Sequence, residues 1–202
     1  MGFTNARVRE NYSRRFSIRY PNEELTAGRP LATTPIYDRL SAAGAQFGAS
    51  FGLEMPLWFA PAGVVEEFSW RRSTDFAHVG KEVQRVRQSV GLADISNFAK
   101  YRVTGEGATA WLDNILACRL PRPGRMTLAP MLKEDGRVIG DFSLACLEDG
   151  SYLLIGSGLA EDYHMRWFLS HLPDNGSVVI TSEGLGLCGL TIAGPQSRAV
   201  LA

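Results

Sequence analysis

Two Asp-Gly dipeptides, Asp135-Gly136 and Asp149-Gly150, constrain this chain more than any other feature. Each suits a two-residue hairpin turn whose central residues take positive φ. Residues 138–147 lie between them, and 128–132 and 152–155 flank them. The three segments read as antiparallel strands of one meander. A doubly wound parallel sheet would need helical crossovers at these turns. Strand 138–147 has two faces. Val138, Gly140, Phe142, Leu144 and Cys146 form one, which suits a core. Ile139, Asp141, Ser143, Ala145 and Leu147 form the other. Asp is depleted in strands and is rarely buried without a partner. An acid among small residues suits a ligand-lined cavity, although a half-wet sheet face with a solvated Asp is the preferred reading of the residues alone.

The rest of the chain supplies helices for this sheet. Val79, Val83, Val86 and Val90 make one helical stripe, which Gly91 ends. Ala99, Tyr101 and Val103 alternate as a strand. Ala108, Trp111, Leu112, Ile115 and Leu116 mark a second amphipathic helix, finished before Pro121. A third runs over about 159–172, with Glu161 and Asp162 in its first turn, where they complement the helix dipole. Strands follow near 177–182 and 187–193. Residues 1–61 are different. They mix arginines and aromatics with Pro21, Pro30, Pro35, Pro56 and Pro61, so helix is expected only at 5–15 and 35–47. Such a segment needs a neighbouring body and is expected to be protease-sensitive alone. The expected fold is α+β: an antiparallel meander with packed helices (62–202), preceded by an irregular linker segment (1–61).

Several functions are disfavoured at once. With 21 basic and 21 acidic residues the net charge is zero, which argues against a globally basic nucleic-acid binder. No apolar run reaches the roughly 18–20 residues of a spanning helix. Cys118, Cys146 and Cys188 form no CxxC, and His78, His164 and His171 form no HExxH. The thiols read as reduced apolar side chains of a reducing compartment. Arg7, Arg9, Arg14, Arg15 and Arg19 face one early acid, Glu10; this is mitochondrial-transit-like, but a basic surface helix is the preferred reading. Trp58, Trp70, Trp111 and Trp167 read as core or interface aromatics. Gly105 to Ala110 fits GxGxxA between a strand and a helix. No parallel strand ending in an acid follows, and Glu106 puts a negative charge where a pyrophosphate would lie. A packed strand-to-helix turn is the better reading.

Two stretches resemble a known family. Residues 7–61 contain RVRENYSRRFSIRYPNEEL, GRPLATTPIYDRL and FGLEMPLWFAP. These resemble the central segment of the FAD-dependent dimethylglycine and sarcosine dehydrogenase family. Residues 80–202 contain GKEVQRVRQSVGLADISNFAKYRVTGEGATAWLD, LKEDGRVIGDFSLACLEDGSYLL and AGPQSRAVLA. These resemble the amino-terminal part of the folate-binding aminomethyltransferase (glycine-cleavage T-protein) fold.

The resemblance implies a role for Asp141 as the essential acid beside tetrahydrofolate, aiding one-carbon transfer from an N-methyl amine or its iminium. It implies a pterin pocket along Phe98, Leu128, Tyr152, Leu154 and Gly156. Two positions depart from the family pattern: Gly140 stands where a second acid is usual, and Gly156 where a polar side chain is common. These put pterin orientation and full activity in doubt. FAD is expected only through a domain or subunit outside this chain, so the chain reads as an internal piece of a longer protein or a truncated frame. The setting implied is bacterial cytoplasm or the mitochondrial matrix. A non-catalytic folate- or partner-binding module is the alternative, and a free-standing dinucleotide-dependent oxidoreductase is the weakest reading.

Overall fold

Polar ties shape the first part of this computed structural model, which describes residues 2–202. Helix α1 (Gly2–Ser13) buries none of its side chains. Its charges hold it instead. Arg7 donates to the Leu25 carbonyl, and Glu10 accepts the Thr26 and Ala27 amides at 3.1 and 3.0 Å. Arg14 pairs with Glu23. Of the helix expected over 35–47, only α2 (Tyr37–Ala42) forms. A hairpin of β1 (Ala45–Ser50) and β2 (Leu53–Phe59) follows, turning at Phe51 and Gly52, both at positive φ. Pro56 fits in β2 because this sheet has only two strands and the register skips Leu57 opposite Gln46 and Phe47.

Glu54 of the hairpin is 3% exposed, yet it is satisfied. Arg29 donates to both its oxygens, at 2.8 and 2.5 Å, and to the Phe47 carbonyl at 2.7 Å. Helix α3 (Asp75–Gln88) takes up the valine stripe, and its Glu82 accepts the Phe59 amide at 2.9 Å. A Cβ on Gly91 would stand 2.4 Å from Val86, so glycine lets the chain double back against the helix end. Gly91 opens β3 (Gly91–Asp94), which pairs antiparallel with β9 (Leu190–Ala193); α6 (Ser197–Leu201) follows.

These elements, residues 1–95 and 188–202, form one compact unit. The division therefore runs differently from the boundary at 61 that composition suggests. Hairpin strand β2 contacts α3, and β9 returns from the far end of the chain to β3.

Residues 96–187 form the second unit. It contains β4 (Ala99–Thr104), α4 (Ala108–Ile115), β5 (Arg125–Leu132), β6 (Val138–Cys146), β7 (Tyr152–Gly156), α5 (Glu161–Ser170) and β8 (Val179–Ser182). The sheet order is β5-β6-β7-β4-β8, with every neighbouring pair antiparallel. The expected meander is present, but its turns are not the two-residue type. Gly136 and Gly150 turn at φ 81° while Asp135 and Asp149 do not take positive φ, and the loops close by Lys133 N–H to the Arg137 carbonyl and Leu147 N–H to the Ser151 carbonyl. Strand β4 then closes against both β7 and β8. One sheet face carries Tyr101, Val103, Phe142, Leu144, Cys146, Tyr152 and Leu154 into the core. Trp111 and Leu112 of α4 and Phe168 of α5 cover it. Tyr101 meets Phe168 edge-on at 5.2 Å and donates its hydroxyl to the Glu161 carbonyl at 3.0 Å. Burial, with Glu161 and Asp162 nearby, pushes its phenol well above the ordinary value.

Candidate functional site

Asp141 lies near the start of β6, exposed, on the sheet face turned away from this core. Strand periodicity gives it the same face as Ser143 and Ala145. Leu128 pairs with Ser143 and Met126 with Ala145, so both share that face; Leu128 is 74% exposed. Apolar surface and one carboxylate therefore stand together.

The local backbone departs from a regular ladder. Val138 pairs with Leu132 and Gly140 with Met131, so Ile139 is an extra residue, a β-bulge. The bulge breaks the alternation read from sequence: Val138, expected inward, is 66% exposed, while Ile139 packs partly on the core. Opposite Asp141 stands Pro130, which has no N–H to give. It is tolerated because this edge of Pro130 faces away from β6, its carbonyl accepting the Ala117 N–H at 2.8 Å, so no β5–β6 hydrogen bond is lost. The last β6–β7 pair is Ser143 with Ile155.

The other residues implied by resemblance divide into two groups. Phe98, 42% exposed, lies in the turn before β4, at the same sheet end as Asp141, since Ala99 pairs with Gly156. Lys100 fastens this turn by donating to the Ser96 and Phe98 carbonyls at 2.9 and 2.7 Å. Gly156 lies beside the Asp141 backbone, where a Cβ would stand 3.6 Å from its carbonyl oxygen, but Tyr152 and Leu154 do not join Asp141. Their register with Cys146 and Leu144 turns the Tyr152 and Leu154 side chains into the core, and the Tyr152 hydroxyl meets that of Thr109 at 3.0 Å.

Both glycine departures have a packing cause. A Cβ at Gly156 would lie 2.6 Å from the Phe142 ring, and one at Gly140 would lie 2.6 Å from His164 Nε2. Sequence reasoning missed His164, Met126 and Lys100. A lone histidine on a helix carries no signal of which strand it will meet.

The Gly105–Ala110 turn is filled from within the protein. A Cβ on Gly105 would stand 2.2 Å from the Ser177 carbonyl oxygen, and one on Gly107 2.5 Å from the Ser177 hydroxyl. Gly107 N–H donates to that carbonyl at 3.0 Å. The glycines thus admit Ser177 rather than a pyrophosphate. Among the described residues no group of three or more His, Cys, Asp or Glu could hold a metal. Cys118 and Cys146 are free thiols.

Comparison with known proteins gives the family and the fold. Residues 36–202 match the GCVT N-terminal domain, and residues 1–34 match the FAD dependent oxidoreductase central domain. The chain belongs to the GCVT N-terminal domain family. It is homologous to mitochondrial dimethylglycine dehydrogenase of Homo sapiens, 34% identical over 98% of this chain and 23% of that protein. Mitochondrial sarcosine dehydrogenase of Homo sapiens is 26% identical over 96% of this chain and 26% of its own length. The mitochondrial pyruvate dehydrogenase phosphatase regulatory subunit of Mus musculus is 27% identical over 98% and 24%. The chain thus spans about a quarter of the length of these relatives. A solved structure, glycine cleavage system aminomethyltransferase T from Bartonella henselae, superposes with a TM-score of 0.67 at 25% identity, over 85% of this chain and 43% of that one. Its fold is the α+β fold expected from the meander.

Proposed function

We propose that this chain is the tetrahydrofolate-binding portion of a protein that oxidises an N-methyl amine and passes the released one-carbon unit to folate. One observation carries the reading: Asp141 is an exposed carboxylate at a bulged strand end, on a face with exposed Leu128 and Met126. A flat pterin fits such a face, with apolar surface against its plane and an acceptor for its N–H groups. Tetrahydrofolate supplies the nitrogens that take up the one-carbon unit. Asp141 would hold a cationic amine or iminium and accept a proton from an attacking nitrogen. Leu128 and Phe98 would exclude water beside it. Tyr152, Leu154 and Gly156 serve through packing beneath β6.

FAD does not fit the residues present, because Ser177 fills the glycine turn. A separate FAD-binding domain or subunit is the partner this reading requires. No helix of the described residues is long and apolar enough to cross a membrane. A mitochondrial matrix or bacterial cytoplasmic setting fits the family. A second reading, a partner-binding module without turnover, is favoured by one similarity, that to a regulatory subunit.

Calorimetric titration of tetrahydrofolate into the whole chain and into Asp141→Asn separates the two. The variant is expected to bind at least about tenfold more weakly, since a hydrogen bond to a charged group contributes roughly 1.5–3 kcal/mol. Equal affinities would remove Asp141 from the site. Binding by neither protein would sink the folate reading and leave the partner module.

A further inference from the structure

We infer that His164 is a positioning residue for Asp141: from the core side of the sheet it holds the bulge that turns the carboxylate outward. This rests on the reading of Asp141 given above. The backbone over 138–142 is short of ladder support. Ile139 is skipped by β5, and the paired stretch of β7 begins only opposite Ser143. His164, on α5 and 2% exposed, meets the chain at this weak point. Its Nε2 lies 3.3 Å from the Ile139 carbonyl oxygen. A carbonyl only accepts, so Nε2 carries the hydrogen and donates it. The bulged residue thereby gains a hydrogen bond from another element.

The arrangement is matched on both sides. Gly140 leaves the space that the imidazole fills, since any Cβ there would lie 2.6 Å from Nε2. Phe142 sets the ring edge-on, with centroids 4.9 Å apart. The other ring nitrogen, Nδ1, is buried without a hydrogen-bond partner among the described residues. A leucine would fill the space with no such unsatisfied atom. What the imidazole adds over leucine is the bond to Ile139, two residues before Asp141. His164 and Asp141 thus act on one short strand end from opposite faces.

The test uses the full chain as His164→Leu, His164→Gln and Asp141→Asn, plus the His164→Leu/Asp141→Asn double variant. Amide hydrogen exchange and tetrahydrofolate titration are read side by side. In His164→Leu, exchange over 138–142 should quicken on the order of tenfold while 143–146 and 152–156 keep their protection. Folate affinity should fall on the order of tenfold, and the double variant should bind no worse than Asp141→Asn. His164→Gln, which restores an N–H near Nε2, should recover most of both effects.

Loss of thermal stability with folate affinity within about twofold of the parent, where Asp141→Asn does weaken binding, would overturn the inference and leave the Asp141 reading intact. Glutamine behaving as leucine does would also overturn it. If the parent chain binds no folate, the Asp141 reading fails by itself and exchange alone decides. Loosening confined to 138–142 supports the positioning role, and uniform loosening of the sheet defeats it.

Discussion

At the residue scale, the glycines show what a side chain is worth at each place. Gly156 and Gly105 face solid neighbours, the Phe142 ring and the Ser177 carbonyl, whereas a Cβ on Gly136 would meet nothing within 4 Å. Gly156→Ala should therefore destabilise the chain by about 1–3 kcal/mol through overpacking. Gly105→Ala should cost at least as much, since it adds positive φ to the clash. Gly136→Ala carries only the left-handed penalty, about 1–2 kcal/mol. Denaturant melts of the three variants check the order; Gly136→Ala as the most damaging would refute it.

His164 gives a pH prediction. Burial lowers its pKa below the ordinary value, against the opposing pull of the Ile139 carbonyl and Asp141. The folded state then resists the proton that the unfolded state accepts near pH 6.5. Stability should fall as pH drops from about 6.5 toward the lower folded value, then level off for this group. His164→Gln should remove that slope; a slope unchanged in the variant would assign it elsewhere. Asp149, held low by hydrogen bonds from the Ser151 hydroxyl and amide, loses its contribution in a more acidic window. The sequence made Asp141 legible because an acid mid-strand breaks a pattern. It hid His164, whose role exists only once α5 lies across β6.

At the element scale, prolines and bulges explain what was readable. The meander was legible because turn chemistry and alternation agree: Asp135-Gly136 and Asp149-Gly150 bracket a strand with Phe142, Leu144 and Cys146 on one side. Hairpin β1–β2 was not. Pro56 argues against a strand, Phe51-Gly52 is a poor turn signal, and the stabilising acid, Glu54, looks like a surface residue until Arg29 reaches it.

The same pair supplies a test. Breaking a buried ion pair leaves an uncompensated charge and costs about 3–5 kcal/mol, whereas exchanging both partners for apolar groups is often nearly neutral. Arg29→Met should thus destabilise the unit of residues 1–95 and 188–202, and Arg29→Met with Glu54→Leu should recover most of the loss. Additive losses in the double variant would show that each residue acts through other contacts.

At the scale of the whole molecule, order along the chain and neighbourhood in space part company. Composition changes near residue 62, yet β3 finds its partner in β9, about a hundred residues later. Nothing local in Gly91–Asp94 or Leu190–Ala193 announces that pairing. Residues 96–187 are different. All five strands of the large sheet, helices α4 and α5, and every buried side chain of its core lie inside that span. Its backbone ladder and apolar burial need nothing from outside, whereas 1–95 alone leaves β3 with an open edge and loses the Ser89–Gln196 side-chain bond. A chain of about 90 residues is within the size at which one hydrophobic core suffices. Expressed alone, 96–187 should therefore show a single cooperative thermal transition and dispersed amide resonances. Residues 1–95 alone should melt broadly, and adding 188–202 through a short linker after Ile95 should sharpen the transition. A molten 96–187, with far-UV but no near-UV dichroism, would mean that its core depends on the other unit.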